Sequence, residues 1–189
     1  MDIVEEARKL AKEMSEKYGD WPSFESTEHI VKKGQELAQK LNVDEKIVIV
    51  SCYLIDTGLG KAVKEGKIKE HIKFSLEIAN RFLDNFDLSK EDKEKIINSI
   101  AAHHGKIGHN SIESEIVKNA DNFRFLDPSK IARGIYKGGI KYKMGFKETI
   151  ELLKNKVEEK YNLVTLDICK EEAEKNYRVI KEFLNRVNI

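Results

Sequence analysis

Five histidines stand at His29, His71, His103, His104 and His109, and two aspartates, Asp56 and Asp121, interrupt apolar stretches. Imidazole nitrogens and carboxylate oxygens are ligands for ions such as Zn, Mn or Fe, and rigid helices can hold such groups inward around a metal. Each residue also has a plainer role. In His103-His104-Gly105, a cation before a glycine suits the negative end of a helix macrodipole. Asp56 closes the most apolar run of the chain, where a buried unpaired charge is costly and a nearby cation would relieve it. That cation is Lys61, an arginine or a metal ion. Val117, Asp121 and Phe125 share one helical face, and Arg124 lies three residues beyond Asp121, so an ion pair competes there with a metal.

The elements that must position these groups are helical, because stripes of period 3.6 are common and strand-like alternation is scarce. Residues 2–18 form a first helix and 19–25 a loop. Ser26 or Thr27 caps a second helix that reaches Leu41. Asp44 opens a third, whose run from Ile47 to Ile55 is apolar on nearly every side, the mark of a buried central helix. A buried strand is the alternative for that stretch. Gly58 and Gly60 end it, and a polar loop runs from Lys61 to Lys69. Further helices cover about 70–84, 90–104 and 112–126, with Ser89 as a cap. Pro128 starts a short helix to Tyr136, residues 137–145 form a Gly- and Lys-rich loop, and two longer helices span about 146–160 and 170–187. The expected fold is all-α, a single-domain helical bundle with a core over about 27–127 and C-terminal helices over about 129–187 packed on it.

Composition narrows the function classes. Charged residues make up 35% and hydrophobic ones 40%, but the net charge is only +1, so no global field favours nucleic acid or an acidic membrane. Cys52 and Cys169 lie far apart in apolar helical contexts, which excludes a C-x-x-C metal or redox motif and reads as buried thiols in a reducing compartment. No apolar run is long enough to span a membrane, and the N-terminus is charged from its second residue. The expected location is cytoplasmic, with a homo-oligomer left open.

The order of these groups resembles a known family. Ser51-Cys52-Tyr53-Leu54-Ile55-Asp56-Thr57-Gly58 is similar to the "LLHDIG" signature of the HD-domain metal-dependent phosphohydrolases. Thr27-Glu28-His29-Ile30-Val31 resembles their first-histidine helix, Glu70-His71-Ile72-Lys73-Phe74-Ser75 their "HE..S" element, and Ile100 to Gly105 their "I..H" helix end. Ile116 to Phe123 resembles "IV.DADRL". Ile131-Ala132-Arg133, Lys137-Gly138-Gly139, Leu163-Val164-Thr165 and Glu182-Phe183-Leu184 extend the likeness to a branch of small nucleotide-hydrolysing members.

The resemblance implies a divalent ion (Mn, Mg, Fe, Ni or Zn) held by His29, Asp56 and Asp121. The histidine of the pair is replaced by Ile55, which has no lone pair. In two-metal members Asp56 would bridge, and His71 with His103 or His104 would hold a second ion; in one-metal members those histidines face substrate phosphates. Asp56, Lys61 and His71 take the catalytic roles, and Lys61, His103, His104, Lys137 and Lys141 the substrate contacts. A solvated loop is the alternative for the lysines. The implied activity is hydrolysis of a small phosphorylated substrate, a (deoxy)nucleotide. The rivals are an inactive HD module that binds nucleotide or a partner, and a purely structural helical protein.

Overall fold

The computed structural model describes residues 2–187, whose regular structure is all helical with no strand among them. Helices α1 (Ile3–Lys17), α2 (Phe24–Leu41), α3 (Glu45–Leu54), α4 (Leu59–Lys64), α5 (His71–Leu83), α6 (Lys90–Ala102), α7 (Ile112–Phe123), α8 (Pro128–Ile140), α9 (Phe146–Asn162) and α10 (Asp167–Arg186) follow in order, with a 3₁₀ turn at Ile68–Glu70 before α5. The chain divides into two compact units, one reaching Ala120 and the other starting at Asp121, so the boundary falls within α7. None of the described helices is long and apolar enough to cross a membrane.

The first unit is built around α3. Asp44 caps it by accepting from the Lys46 and Ile47 amides. Its residues Ile47, Val48, Val50, Ser51, Cys52, Tyr53 and Leu54 are all buried, as an all-round apolar helix requires. It packs against α1, α2 and α6, and α5 packs against both α4 and α6. In the second unit α8, α9 and α10 pack on one another. Cys52 and Cys169 are both buried free thiols.

Three sequence expectations are corrected. Helix α2 begins at Phe24 because Ser23, rather than Ser26 or Thr27, accepts the capping bond, from the Ser26 amide. Residues Leu59–Lys64 are helical rather than loop, a single amphipathic piece that buries Ala62 completely. Helix α8 continues through Gly138-Gly139 instead of ending at Tyr136. Gly138 reads as loop punctuation in sequence, but its place is set by packing: a Cβ there would lie 2.4 Å from Thr149 Cγ2 on α9.

One cluster ties three helices of the first unit together. The Tyr53 hydroxyl on α3 donates to Glu28 Oε1 on α2 at 3.0 Å, and Arg8 Nε on α1 donates to the same oxygen at 3.2 Å. Burial first, then the Glu28 carboxylate, pushes the Tyr53 hydroxyl from 10.0 up to about 12. The folded value lies above the unfolded one, so the stability it contributes is whole below pH 10 and is lost as pH rises toward 12. The melting temperature of wild type should therefore fall more steeply over that interval than that of Tyr53→Phe. Parallel pH profiles for the two proteins would contradict this account.

Candidate metal centre

Three ring nitrogens converge in the first unit. His71 is the first residue of α5, His103 caps the C-terminus of α6, and His104 follows it. Their ligating nitrogens lie within 4.8 Å of one another, the one such group among the described residues. His71 Nε2 and His104 Nε2 are 3.0 Å apart. His103 is fully buried, and His71 and His104 are half-buried.

The backbone fixes how two of these rings present themselves. His71 Nδ1 lies 2.8 Å from the Ile68 carbonyl in the 3₁₀ turn, and His103 Nδ1 lies 2.7 Å from the Ile100 carbonyl in the last turn of α6. A carbonyl only accepts, so each Nδ1 carries the proton and donates it. In a neutral ring the lone pair is then on Nε2, the nitrogen turned toward the cluster. Metal-binding histidines are oriented by this kind of outer hydrogen bond. In His103 one geometry thus serves two ends of the ring: Nδ1 serves the helix end and Nε2 faces the cluster.

Asp56 joins them. It lies in the turn just past α3, 4% exposed, with Oδ1 3.8 Å from His103 Nε2 and 4.0 Å from His71 Nε2. The turn is fastened to α5 by the Gly58 amide, which donates to Ser75 Oγ at 3.0 Å. Three nitrogens and a carboxylate at these separations suit one divalent ion, so the donor set fits a metal. Ile55, 1% exposed, contributes only apolar packing beside Asp56.

The other predicted site residues lie on α2, α4 and α8 and in the second unit. His29 is half-buried on α2. Lys61 sits on α4 with its ammonium 4.6 Å from the centre of the Phe74 ring and 3.9 Å from Glu65 Oε1. In the second unit, Lys137 lies in the last turn of α8 and Lys141 caps it. There a lysine favourably meets the negative end of the helix dipole.

Asp121, in the second unit, is fully buried and held by two cations. Lys160 Nζ lies 2.6 Å from Oδ2 and Arg124 Nη2 lies 2.9 Å from Oδ1. The Arg124 pair was legible from its spacing of three residues; Lys160 was missed. Its signal is in α9, where Ile150, Leu153, Val157 and Lys160 repeat at helical spacing and are all buried. A lysine on an apolar face needs a buried anion. A divalent ion on the same carboxylate would meet both cations. Unit charges of like sign about 4 Å apart repel by about 4 kcal/mol at an effective dielectric of about 20, and a divalent ion doubles that.

Comparison with known proteins fixes the family. The HD domain model matches residues 6–126, well over half of the chain. This chain belongs to the HD-domain family. No curated protein sequence matches it. Among solved structures, an HD-superfamily hydrolase from Bacillus thuringiensis aligns with a TM-score of 0.71 at 18% identity, covering 97% of this chain and 93% of that one. Bacillus subtilis YpgQ, in a complex with ADP, aligns at 0.68 and 19% identity, with 99% and 95% covered. A predicted HD-superfamily hydrolase from an uncultured Thermotogales bacterium gives 0.67 at 19%, with 96% and 89% covered. At such identities the likeness is one of fold, and it extends the HD-type helical architecture to nearly the whole chain.

Proposed function

We propose that this HD-domain protein is a metal-dependent phosphohydrolase acting on a small phosphorylated substrate, most simply a (deoxy)nucleotide. The observation that carries the reading is the convergence of the His71, His103 and His104 nitrogens beside the buried carboxylate of Asp56. The family and the ADP bound to the similarly folded YpgQ support the substrate class. A divalent ion in such a site lowers the pKa of a coordinated water and neutralises charge on phosphoryl oxygens. In this reading His71, His103 and Asp56 hold the ion. His104 either completes that set or meets a phosphoryl oxygen, and His29 is a further candidate ligand. Lys61 neutralises phosphate charge from α4.

Phosphate release from nucleoside mono-, di- and triphosphates, measured with Mn, Ni, Zn and Mg and again after chelation, tests the proposal. Release that depends on an added ion supports it; no release from any nucleotide with any ion would sink it.

Ile55 favours a second reading, a module that binds nucleotide without turning it over, because a ligand position of the resemblance is filled by a fully buried aliphatic chain. Ile55→His separates the two. A buried imidazole lacking a partner should cost about 1–3 kcal/mol of stability. If the ion is held by the other histidines, metal affinity should change less than about threefold, under 1 kcal/mol. A joint rise in affinity and hydrolysis from an inert wild type would instead establish the second reading.

A further inference from the structure

The structure assigns Asp121 as the fixed counter-ion of an internal ammonium, that of Lys160, in place of the divalent ion that the family resemblance puts there. Resting on the reading above, we propose further that the metal set of this protein is nitrogen-rich: His71, His103 and His104 with the single carboxylate of Asp56.

Four observations lead to this. Lys160 Nζ approaches Asp121 Oδ2 to 2.6 Å, the distance of a charge-assisted hydrogen bond. Both side chains are buried, Lys160 at 1% and Asp121 at 0% exposure, so neither charge is stabilised by bulk water. Arg124 Nη2 lies 2.9 Å from the other carboxylate oxygen, an ion-pair distance, so a second cation stands at the same carboxylate. Finally, the lysine is placed by the apolar stripe of α9, with Val157 and Leu153 buried beside it on one face. A lysine that entered this position only as a surface residue would have a solvated neighbourhood.

The consequence for the metal follows from ligand chemistry. A site of two carboxylates and one imidazole is oxygen-rich and suits Mg or Mn. With Asp121 committed to Lys160 and Ile55 inert, the set is three imidazoles and one carboxylate, to which His29 would add only another nitrogen; such donors favour Zn, Ni or Fe(II) and disfavour Mg. The protein would thus have traded one hard anionic ligand for a covalently attached cation, and selected a different class of ion.

A double-mutant cycle in EDTA tests the first part without any metal. Asp121→Asn is isosteric, Lys160→Gln shortens the side chain only slightly, and each removes one charge. Each single variant should unfold more readily than wild type. The double variant should recover part of the loss, with a coupling of at least about tenfold in the unfolding equilibrium constant. Lys160→Arg, which keeps the charge, should lie closer to wild type than Lys160→Gln and covers the case in which the Gln variant fails to fold. Calorimetric titration with ZnCl2, NiCl2, MnCl2 and MgCl2 tests the second part. Asp121→Asn should keep the wild-type Zn affinity to within about threefold, and wild type should bind Zn or Ni at least about a hundredfold more tightly than Mg. A tenfold or greater loss of metal affinity in Asp121→Asn, or an additive cycle, would overturn the assignment. Coupling in the cycle with no ion bound by wild type would confirm the Lys160 pair and defeat the metal-site reading instead.

Discussion

Replacing His103 with alanine should weaken divalent-ion binding by more than about a hundredfold, close to 3 kcal/mol, and with it any metal-dependent hydrolysis. Of the three clustered rings His103 is the one fully buried, and its orientation is set by the 2.7 Å bond from Nδ1 to the Ile100 carbonyl. Its Nε2 lies 3.8 Å from Asp56 Oδ1, against 4.0 Å for that of His71. Its removal deletes a nitrogen ligand and a neighbour of that carboxylate together. It also frees one carbonyl at the end of α6, a loss of about 1 kcal/mol for an ordinary hydrogen bond. The two effects differ in size and in readout: metal titration reports the first and melting in EDTA the second. His103→Gln, which can still reach the carbonyl, should restore melting without restoring metal affinity. Unchanged titration curves for His103→Ala would show that the ion is held elsewhere.

The elements of this fold were legible because their causes are local. Asp44 with the apolar run behind it announces α3 and Ser89 announces α6, each through a side chain that accepts from its own helix start, and Pro128 announces α8. What the sequence hid depends on contacts between elements. Gly138-Gly139 reads as a loop because two glycines usually break a helix, and only the proximity of Thr149 explains the first of them. The candidate site divides in the same way. The ordered histidines and Asp56 were readable from spacing and resemblance, and the structure brings His71, His103, His104 and Asp56 together. The pairing of Asp121 was half readable: Arg124 is three residues away, while Lys160 is thirty-nine residues downstream. Its only local sign is a lysine in an apolar stripe, and such a sign names a partner's charge but not the partner.

The turn that carries Asp56 depends on Gly58, and Gly58→Ala should be among the most damaging single-methyl changes in the chain. A Cβ on Gly58 would stand 2.3 Å from the Ser75 nitrogen and 2.5 Å from the Phe74 carbonyl carbon, both backbone atoms of α5. Backbone cannot swing aside as a side chain can, so the turn and α5 must separate. That separation would break the 3.0 Å bond from the Gly58 amide to Ser75 Oγ, leaving a buried donor. It would also move Asp56 away from His71, because the first sits two residues before Gly58 and the second opens α5. A loss of about 3 kcal/mol is expected, at the upper end for overpacking, together with weaker metal binding. The sign of the effect is diagnostic. Gly58 has φ of −87°, a conformation alanine adopts without strain, so without the clash the substitution would stabilise by about 0.4–1 kcal/mol through the unfolded chain. Ser75→Ala serves as the control: it removes the acceptor but creates no clash, and should cost only about 1–3 kcal/mol while leaving Asp56 and His71 in place. Denaturant melts of both variants, read beside their metal titrations, decide the matter. A Gly58→Ala protein as stable as wild type would mean that the turn and α5 are not in the close contact on which the geometry of Asp56 rests.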